Sequence, residues 1–221
     1  MTHTVEILET DNVTHNVRRF RVEKPAGFVF KPGQATEVTL DREEWRDEKR
    51  PFTFTSLNDW DDLEFTIKIY PDHGGVTDQL GRLEAGDRLI IDDPWGTIEY
   101  KGPGVFIAGG AGVTPFIAIL RDLEKKGAIV GHTLIFSNKR ERDIILRSEF
   151  EAMHGLNTIF TLTGEEVAGL EHGKVDRDFI TRHVKDFDQK FYVCGPDGMV
   201  EDMKDLLSEL GADTEGLVFE K

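Results

Sequence analysis

The sequence predicts two domains, an antiparallel β-barrel over residues 1–102 and a doubly wound parallel α/β sheet over residues 103–221. Three observations carry that expectation. Apolar residues in the first hundred positions alternate in twos between turn clusters. The remainder alternates compact apolar runs with helical spacing. Between the two stands Lys101-Gly102-Pro103-Gly104, whose composition suits a linker.

In chain order, Val5 and Ile7, Phe20 and Val22, Val38 and Leu40, and Phe52 and Phe54 fall at period two, followed by Phe65, Ile67 and Ile69, then Leu89 and Ile91. That is the spacing of half-buried strands. KPAG (24–27), KPGQ (31–34), NDWDD (58–62), PDHGG (71–75) and EAGD (84–87) interrupt them. About six short strands with turns at this spacing make a barrel or a sandwich. Only Val76–Leu83 reads as a short helix in this half. Beyond the linker, VFIA (105–108), TLIFS (133–137), TIFTL (158–162), KFYVC (190–194) and LVF (217–219) read as buried strands. Helices are expected over TPFIAILRDLEKKG (114–127), around Ile144–Met153, from Asp176, and over Asp197–Leu210. Phe116, Leu120 and Leu123 share one face of the first, and Gly127 supplies its stop.

Composition narrows the function. Against 42 acidic residues stand 27 basic ones, a net charge of −15 that repels nucleic acid and anionic membrane surfaces. A single cysteine excludes an intramolecular disulfide, a cysteine-based zinc site and a four-cysteine cluster within the chain, and no metal site is expected. The first twenty residues lack a basic and then apolar leader pattern, and no apolar run suits a spanning helix. A cytoplasmic protein is expected. Oligomeric state is not encoded in any pattern found.

Four segments carry chemistry. GGAGVTP (109–115) links strand VFIA to the following helix. Such a turn lets backbone amides approach a pyrophosphate at a helix N-terminus, with Thr114 as N-cap and Pro115 in the first turn. Gly110-x-Gly112-x-x-Pro115 has Pro where the dinucleotide fingerprint has its third Gly, and close helix–sheet packing alone also explains such a turn. CGPDGM (194–199) ends strand KFYVC, so Cys194 and Gly112 both fall at carboxyl strand ends and can face one crevice. A buried, inert cysteine is the alternative. RPFTFTS (50–56) offers the Arg50 fork for a phosphate, the flat face of Phe52 and the Thr53 hydroxyl, or else is an ordinary amphipathic strand. HGGVTDQL (73–80) brings consecutive amides together, capped by Thr77, as an anion nest or as a plain turn.

Taken in this order, the four segments resemble the ferredoxin–NADP reductase family, most closely its compact flavodoxin/ferredoxin reductase-like members. The likeness spans essentially the whole chain, and DDPWGTI (92–98) resembles the family's turn near the end of the barrel. It implies an FAD-binding barrel followed by an NAD(P)-binding α/β domain. By that resemblance Arg50 meets the FAD pyrophosphate beside Pro51, Phe52 lies on the isoalloxazine and Thr53 hydrogen-bonds flavin N5. Phe52 stands where the family usually has Tyr, so a hydroxyl contact is lost. Ile67, Lys68, Ile69 and Tyr70 line the flavin, while Gly74, Gly75, Val76 and Thr77 hold its phosphates. Gly110, Ala111, Gly112, Val113 and Thr114 meet the nicotinamide nucleotide. Cys194 lies beside the nicotinamide C4, with Gly195, Pro196 and Met199 at the dinucleotide's border. Thr53 and Cys194 are thus the expected catalytic pair, and Phe219 takes the place of the family's terminal flavin-shielding aromatic, or that face is open.

Ser137, Asn138, Lys139 and Arg140, continuing to Arg142, place three cations after strand TLIFS, near the expected adenosine ribose. They favour NADP, with NAD as the alternative. The competing reading is a solvated loop whose cations pair with Glu141 and Asp143. The implied reaction is hydride transfer from NAD(P)H to FAD and onward to a separate one-electron carrier such as flavodoxin or ferredoxin. Arg42, Arg46, Lys49 and Arg50 supply a docking patch, but five acids are interleaved with them. Two rivals stand: a reductase of free flavins or quinones, and a non-catalytic electron-transfer subunit that needs a partner.

Overall fold

The computed structural model describes residues 1–96 and 98–213, and the backbone of 217–219. The first half holds β1 (Thr2–Thr14), β2 (Val17–Glu23), β3 (Gln34–Leu40), β4 (Arg50–Thr53), β5 (Asp62–Lys68), α1 (Val76–Leu80), β6 (Arg88–Asp92) and β7 (Trp95–Gly96). Its antiparallel strands run in the order β4-β3-β6-β1-β2-β5, with β7 paired to β3. A bridge between Phe54 and Phe65, and the Thr55 amide donating to the Glu64 carbonyl at 2.8 Å, join the two ends into a near-barrel. Closure removes open sheet edges and encloses the alternating apolar set. Phe54 is fully buried there, stacked on Phe30 at 4.4 Å between ring centroids.

The second half holds β8 (Gly104–Gly109), α2 (Thr114–Lys125), β9 (Thr133–Asn138), α3 (Arg147–Ala152), β10 (Asn157–Leu162), β11 (Glu171–His172), α4 (Arg177–His183), β12 (Lys190–Cys194), α5 (Asp197–Glu209) and β13 (Leu217–Phe219). These strands are parallel and ordered β11-β10-β9-β8-β12-β13. The order reverses between β8 and β12, which is where an open parallel sheet opens a ligand crevice. Apolar clusters cover both faces of the sheet.

Helix ends follow local chemistry. Gly127, at φ +67°, ends α2 with its amide donating to the Glu124 carbonyl and the Ala128 amide to that of Leu123. Gly211, at φ +88°, ends α5 in the same way. Only a residue without Cβ adopts this left-handed cap without strain. Asp176 caps α4, accepting from the Phe179 amide at 2.9 Å. The helix expected around Ile144–Met153 begins only at Arg147, because Leu146 takes a left-handed φ of 52°.

The linker is tied to the sheet by Tyr192, whose hydroxyl accepts from the Lys101 amide at 2.9 Å and donates to the Gly102 carbonyl at 2.7 Å. Burial raises this phenol's pKa above its ordinary 10.0, and the hydrogen bonds oppose the shift only in part. The folded chain therefore holds the proton more tightly than the unfolded one. This stabilising contribution is complete below pH 10.0 and is lost as pH rises through the folded value. Tyr192→Phe is expected to shrink the alkaline fall in melting temperature, measured by calorimetry across that range.

Candidate active site

The crevice is built from two turns at the switch point. β8 and β12 pair in register, Ala108 opposite Cys194, so the chain leaves both strands side by side. After β8, residues Gly110–Val113 form a single 3₁₀ turn that runs into α2. A Cβ at Gly112 would stand 2.3 Å from the Cys194 carbonyl oxygen and 2.6 Å from the Gly195 Cα. One at Gly109 would stand 2.5 Å from Met199 Sδ and 2.9 Å from Pro196 Cδ. The glycines therefore let the two turns touch backbone to backbone. Gly110 has a φ of +53° and faces open space.

Thr114 is not the N-cap of α2. Helical dihedrals already begin at Val113, and the Thr114 hydroxyl donates to the Ala111 carbonyl at 3.0 Å. Pro115 does fall in the first turn. Val113 is fully buried.

In front of these turns lies a cleft of about 520 Å³. One wall belongs to the barrel: His15, Asn16 and Val17 at the β1–β2 hairpin, and Lys68 at the end of β5. The other belongs to the sheet: Gly109, Gly110 and Ala111, then Ser137 to Arg140, Arg142 and Asp143, with Pro196 and Met199. Asn138 is 5% exposed, and both polar atoms of its amide have no protein partner. A buried amide left this way costs free energy until a ligand satisfies it.

Lys139, Arg140 and Arg142 are exposed and form no ion pair among the described residues. The nearby carboxylates are engaged elsewhere. Glu141 accepts from Arg147 at 2.5 Å; Asp143 accepts from the Arg140 amide at 2.9 Å and lies 3.6 Å from His15. Pairing within the loop, the competing expectation, is not what the chain does.

On the barrel side, the Phe54–Phe65 bridge sets the end of β4 beside the middle of β5. Arg50 is exposed, donates to the Lys49 carbonyl at 2.7 Å and lies 3.6 Å from Glu48. Pro51 is exposed, and Phe52 is half-buried against the barrel core. Thr53 is buried, and its hydroxyl makes no hydrogen bond among the described residues. Ile67 points into the core at 1% exposure, and Ile69 is half-buried against the same core. The Lys68 ammonium lies 5.4 Å from the Tyr70 ring centroid, and exposed Tyr70 stacks on His73.

Gly75, not Thr77, is the N-cap of α1; Thr77 lies inside the helix, and its carbonyl accepts from the Gly81 amide. Val76 is buried. A Cβ at Gly74 or Gly75 would meet nothing within 4 Å, so the turn that enters α1 is uncrowded, and the first amides of the helix have no intrahelical acceptor.

Cys194 is 7% exposed, and neither it nor Thr53 lines the 520 Å³ cleft. Phe219 pairs through its backbone with Val193, and its side chain lies outside the described residues. Among the described residues no group of three or more His, Cys, Asp or Glu could hold a metal, and no helix is long and apolar enough to cross a membrane.

Residues 4–100 match the family described as Oxidoreductase FAD-binding domain, and residues 106–205 match Oxidoreductase NAD-binding domain. NADH-cytochrome b5 reductase 1 of Aspergillus terreus is 30% identical, the alignment covering 92% of this chain and 76% of that protein. The chain belongs to the ferredoxin–NADP reductase family. NADH-cytochrome b5 reductase 2 of Mycosarcoma maydis is 29% identical over 78% of this chain and 57% of that protein, so the chain spans little more than half of that relative. A ferredoxin NADP+ reductase from Neisseria gonorrhoeae, solved with FAD and NADP, superposes with a TM-score of 0.86 at 20% identity, covering 99% of this chain and 98% of that one. That likeness shows the fold.

As a family member, the chain is an FAD- and NAD(P)-binding oxidoreductase module of the ferredoxin reductase type. The residues present fit both groups. The unpartnered Asn138 amide and the unpaired cations suit a nucleotide. The exposed Arg50 fork and the uncrowded glycine turn at Gly74 and Gly75 suit the phosphates of a flavin dinucleotide. Sequence reading overlooked His15, Asn16 and Thr163 as cleft residues. Thr163 follows the carboxyl end of β10, where the crevice rule points to it. Nothing in the local pattern marked the hairpin.

Proposed function

We propose that the chain carries a hydride from NADPH, in preference to NADH, to FAD, and sends the electrons on to a separate one-electron carrier protein. One observation carries the reading: the Gly110–Gly112 and Cys194–Gly195 turns touch at the switch point and open on a cleft whose far wall is the flavin-side barrel. When bound, FAD would supply a two-electron acceptor for the nicotinamide's hydride and a donor that can give the electrons up singly.

The protein's part is to hold and orient. Arg50 pairs with the FAD pyrophosphate, aided by the Gly74, Gly75, Val76 and Thr77 amides. Phe52 and the backbone of Ile67, Lys68, Ile69 and Tyr70 flank the isoalloxazine, beside Pro51. The unengaged Thr53 hydroxyl donates to flavin N5. The backbone of Gly110, Ala111, Gly112, Val113 and Thr114 seats the nicotinamide nucleotide. Cys194 borders the nicotinamide at C4, with Gly195, Pro196 and Met199 along the dinucleotide. Ser137 and Asn138 take the adenosine ribose, and Lys139, Arg140 and Arg142 its 2′-phosphate. Phe219 is the candidate shield for the flavin face.

Lys139→Glu combined with Arg140→Glu is expected to cut kcat/KM for NADPH by about tenfold or more, while that for NADH changes little, because two charge-assisted phosphate contacts are lost. Ferricyanide reduction with both nucleotides measures it. Equal losses for the two nucleotides contradict the assignment of this loop to the 2′-phosphate.

Relatives named as cytochrome b5 and ferredoxin reductases support a carrier protein as acceptor. A second reading, transfer to free flavins or quinones, is favoured by charge. Arg46 pairs with Asp41, Lys49 with Asp92, Arg42 with Asp87 and Arg50 with Glu48, which leaves no net basic patch there for an acidic carrier. Steady-state rates with flavodoxin, ferredoxin, cytochrome b5 and menadione separate the two.

A further inference from the structure

Arg121 belongs to none of the groups assigned above, yet it is buried at 9% exposure and joins both domains. From α2 its Nη1 donates to the Thr55 carbonyl and to Glu64 Oε1, each at 2.7 Å. Its Nε and Nη2 form a fork on Glu149 at 2.6 and 2.9 Å, and its guanidinium lies 5.2 Å from the Trp60 ring centroid. Glu64 is 2% exposed and also accepts from the Thr55 hydroxyl at 2.8 Å, while its amide donates to Ser56 Oγ at 3.0 Å. Burial opposes the charge on Arg121, but Glu149 and Glu64 outweigh it and hold the pKa above its ordinary value.

The partners matter by position. Thr55 continues the strand that carries Arg50 and Thr53, and Glu64 precedes Lys68 on β5. Glu149 lies on α3, just beyond the cationic loop. Arg121 itself stands two helical turns from Thr114, roughly 10 Å along the axis from the glycine turn. The other ion pairs across the seam, Lys125–Asp59 and His15–Asp143, are more exposed. A buried ion pair is weak evidence for stability, since apolar replacements of a whole pair are often neutral.

We infer that Arg121 is a positioning residue, locking the spacing between the flavin strand and the nicotinamide-binding turn. The inference rests on the hydride-transfer reading. Its test compares wild type, Arg121→Lys, Arg121→Met, and Arg121→Met combined with Glu64→Gln. The single Met variant strands the buried Glu64 carboxylate and loses stability; the double variant removes both buried charges, leaves only the partly exposed Glu149 carboxylate unpaired, and regains most of the melting temperature.

In the double variant, anaerobic flavin reduction is expected to stay slow by about ten- to a hundredfold, the scale of an ångström-sized misplacement. FAD content and 2′,5′-ADP affinity stay within about twofold of wild type, since each rests on one domain's own contacts. Arg121→Lys keeps the charge but not the fork and falls in between. Spin labels at Val29→Cys and Val130→Cys, both exposed and on opposite domains, should give a broadened distance distribution in the FAD-free double variant. A double variant matching wild type in either rate or label distribution overturns the inference alone. Wild type that binds FAD and is reduced by neither nucleotide overturns the parent reading, and this inference with it.

Discussion

Gly112→Ala is expected to slow flavin reduction by about a hundredfold or more while the barrel still holds FAD. The new Cβ would lie 2.3 Å from the Cys194 carbonyl oxygen, 2.5 Å from its carbonyl carbon and 2.6 Å from the Gly195 Cα. All three are backbone atoms, so no side-chain rotation relieves the contact. The turn after β8 and the turn after β12 must move apart, and they are the two proposed to seat the nicotinamide. Overpacking of this kind costs about 1–3 kcal/mol of stability, which a folded domain of this size tolerates. Gly110→Ala serves as the contrast. Open space surrounds that position, and the cost there is the left-handed φ of +53° alone. Stopped-flow reduction with FAD content measured in parallel checks the pair. A Gly112→Ala protein reduced at the wild-type rate contradicts the site.

Arg50→Ala is expected to weaken FAD binding by about ten- to a hundredfold, the worth of one charge-assisted contact of about 1.5–3 kcal/mol. Stability should change by no more than about 0.5 kcal/mol, the usual limit for an exposed side chain without a buried partner. Among the described residues the Arg50 guanidinium bonds only the Lys49 carbonyl and lies 3.6 Å from Glu48, so no buried partner depends on it. Arg50→Lys is expected to fall between the two, keeping charge without the planar fork. Fluorescence titration of the FAD-free chain gives the affinities and thermal melting gives the stabilities. Unchanged affinity removes Arg50 from the flavin site.

Much of the architecture was legible because period and punctuation are local. Phe20 and Val22 or Leu89 and Ile91 declare a strand within three residues, and Gly127 declares a helix end within one. The contact between the two turns was legible through the rule that ligands lie at carboxyl strand ends, which placed Gly112 and Cys194 together, as their packing shows; the cleft itself is lined by their neighbours Gly109 to Ala111, Pro196 and Met199. Caps were less legible. Thr114 and Thr77 are the residue type that caps a helix, but the 3₁₀ turn at Gly110–Val113 and the extended Gly75 start their helices earlier. Alternation with Phe65 put Ile67 on the inward face, where the structure buries it, so its place among the flavin-lining residues came from the resemblance alone.

Long-range partners were not legible at all. Arg121 reads as one more charge on an amphipathic helix, and Glu64 is 57 positions away in sequence. Likewise, Glu141 and Asp143 sit beside three cations, yet one accepts from Arg147 and the other from a backbone amide. The β1–β2 hairpin reaches the cleft only because the barrel closes, and no residue in it advertises that contact.

If the cleft between barrel and sheet brings a reduced nicotinamide onto a bound flavin, anaerobic stopped-flow mixing of the FAD-loaded chain with NADPH and with NADH will show it. Loss of the yellow flavin absorbance is expected in a single phase, faster with NADPH and slowed when the transferred hydrogen at nicotinamide C4 is deuterium. A flavin that stays oxidised with both nucleotides would rule out hydride transfer in this cleft.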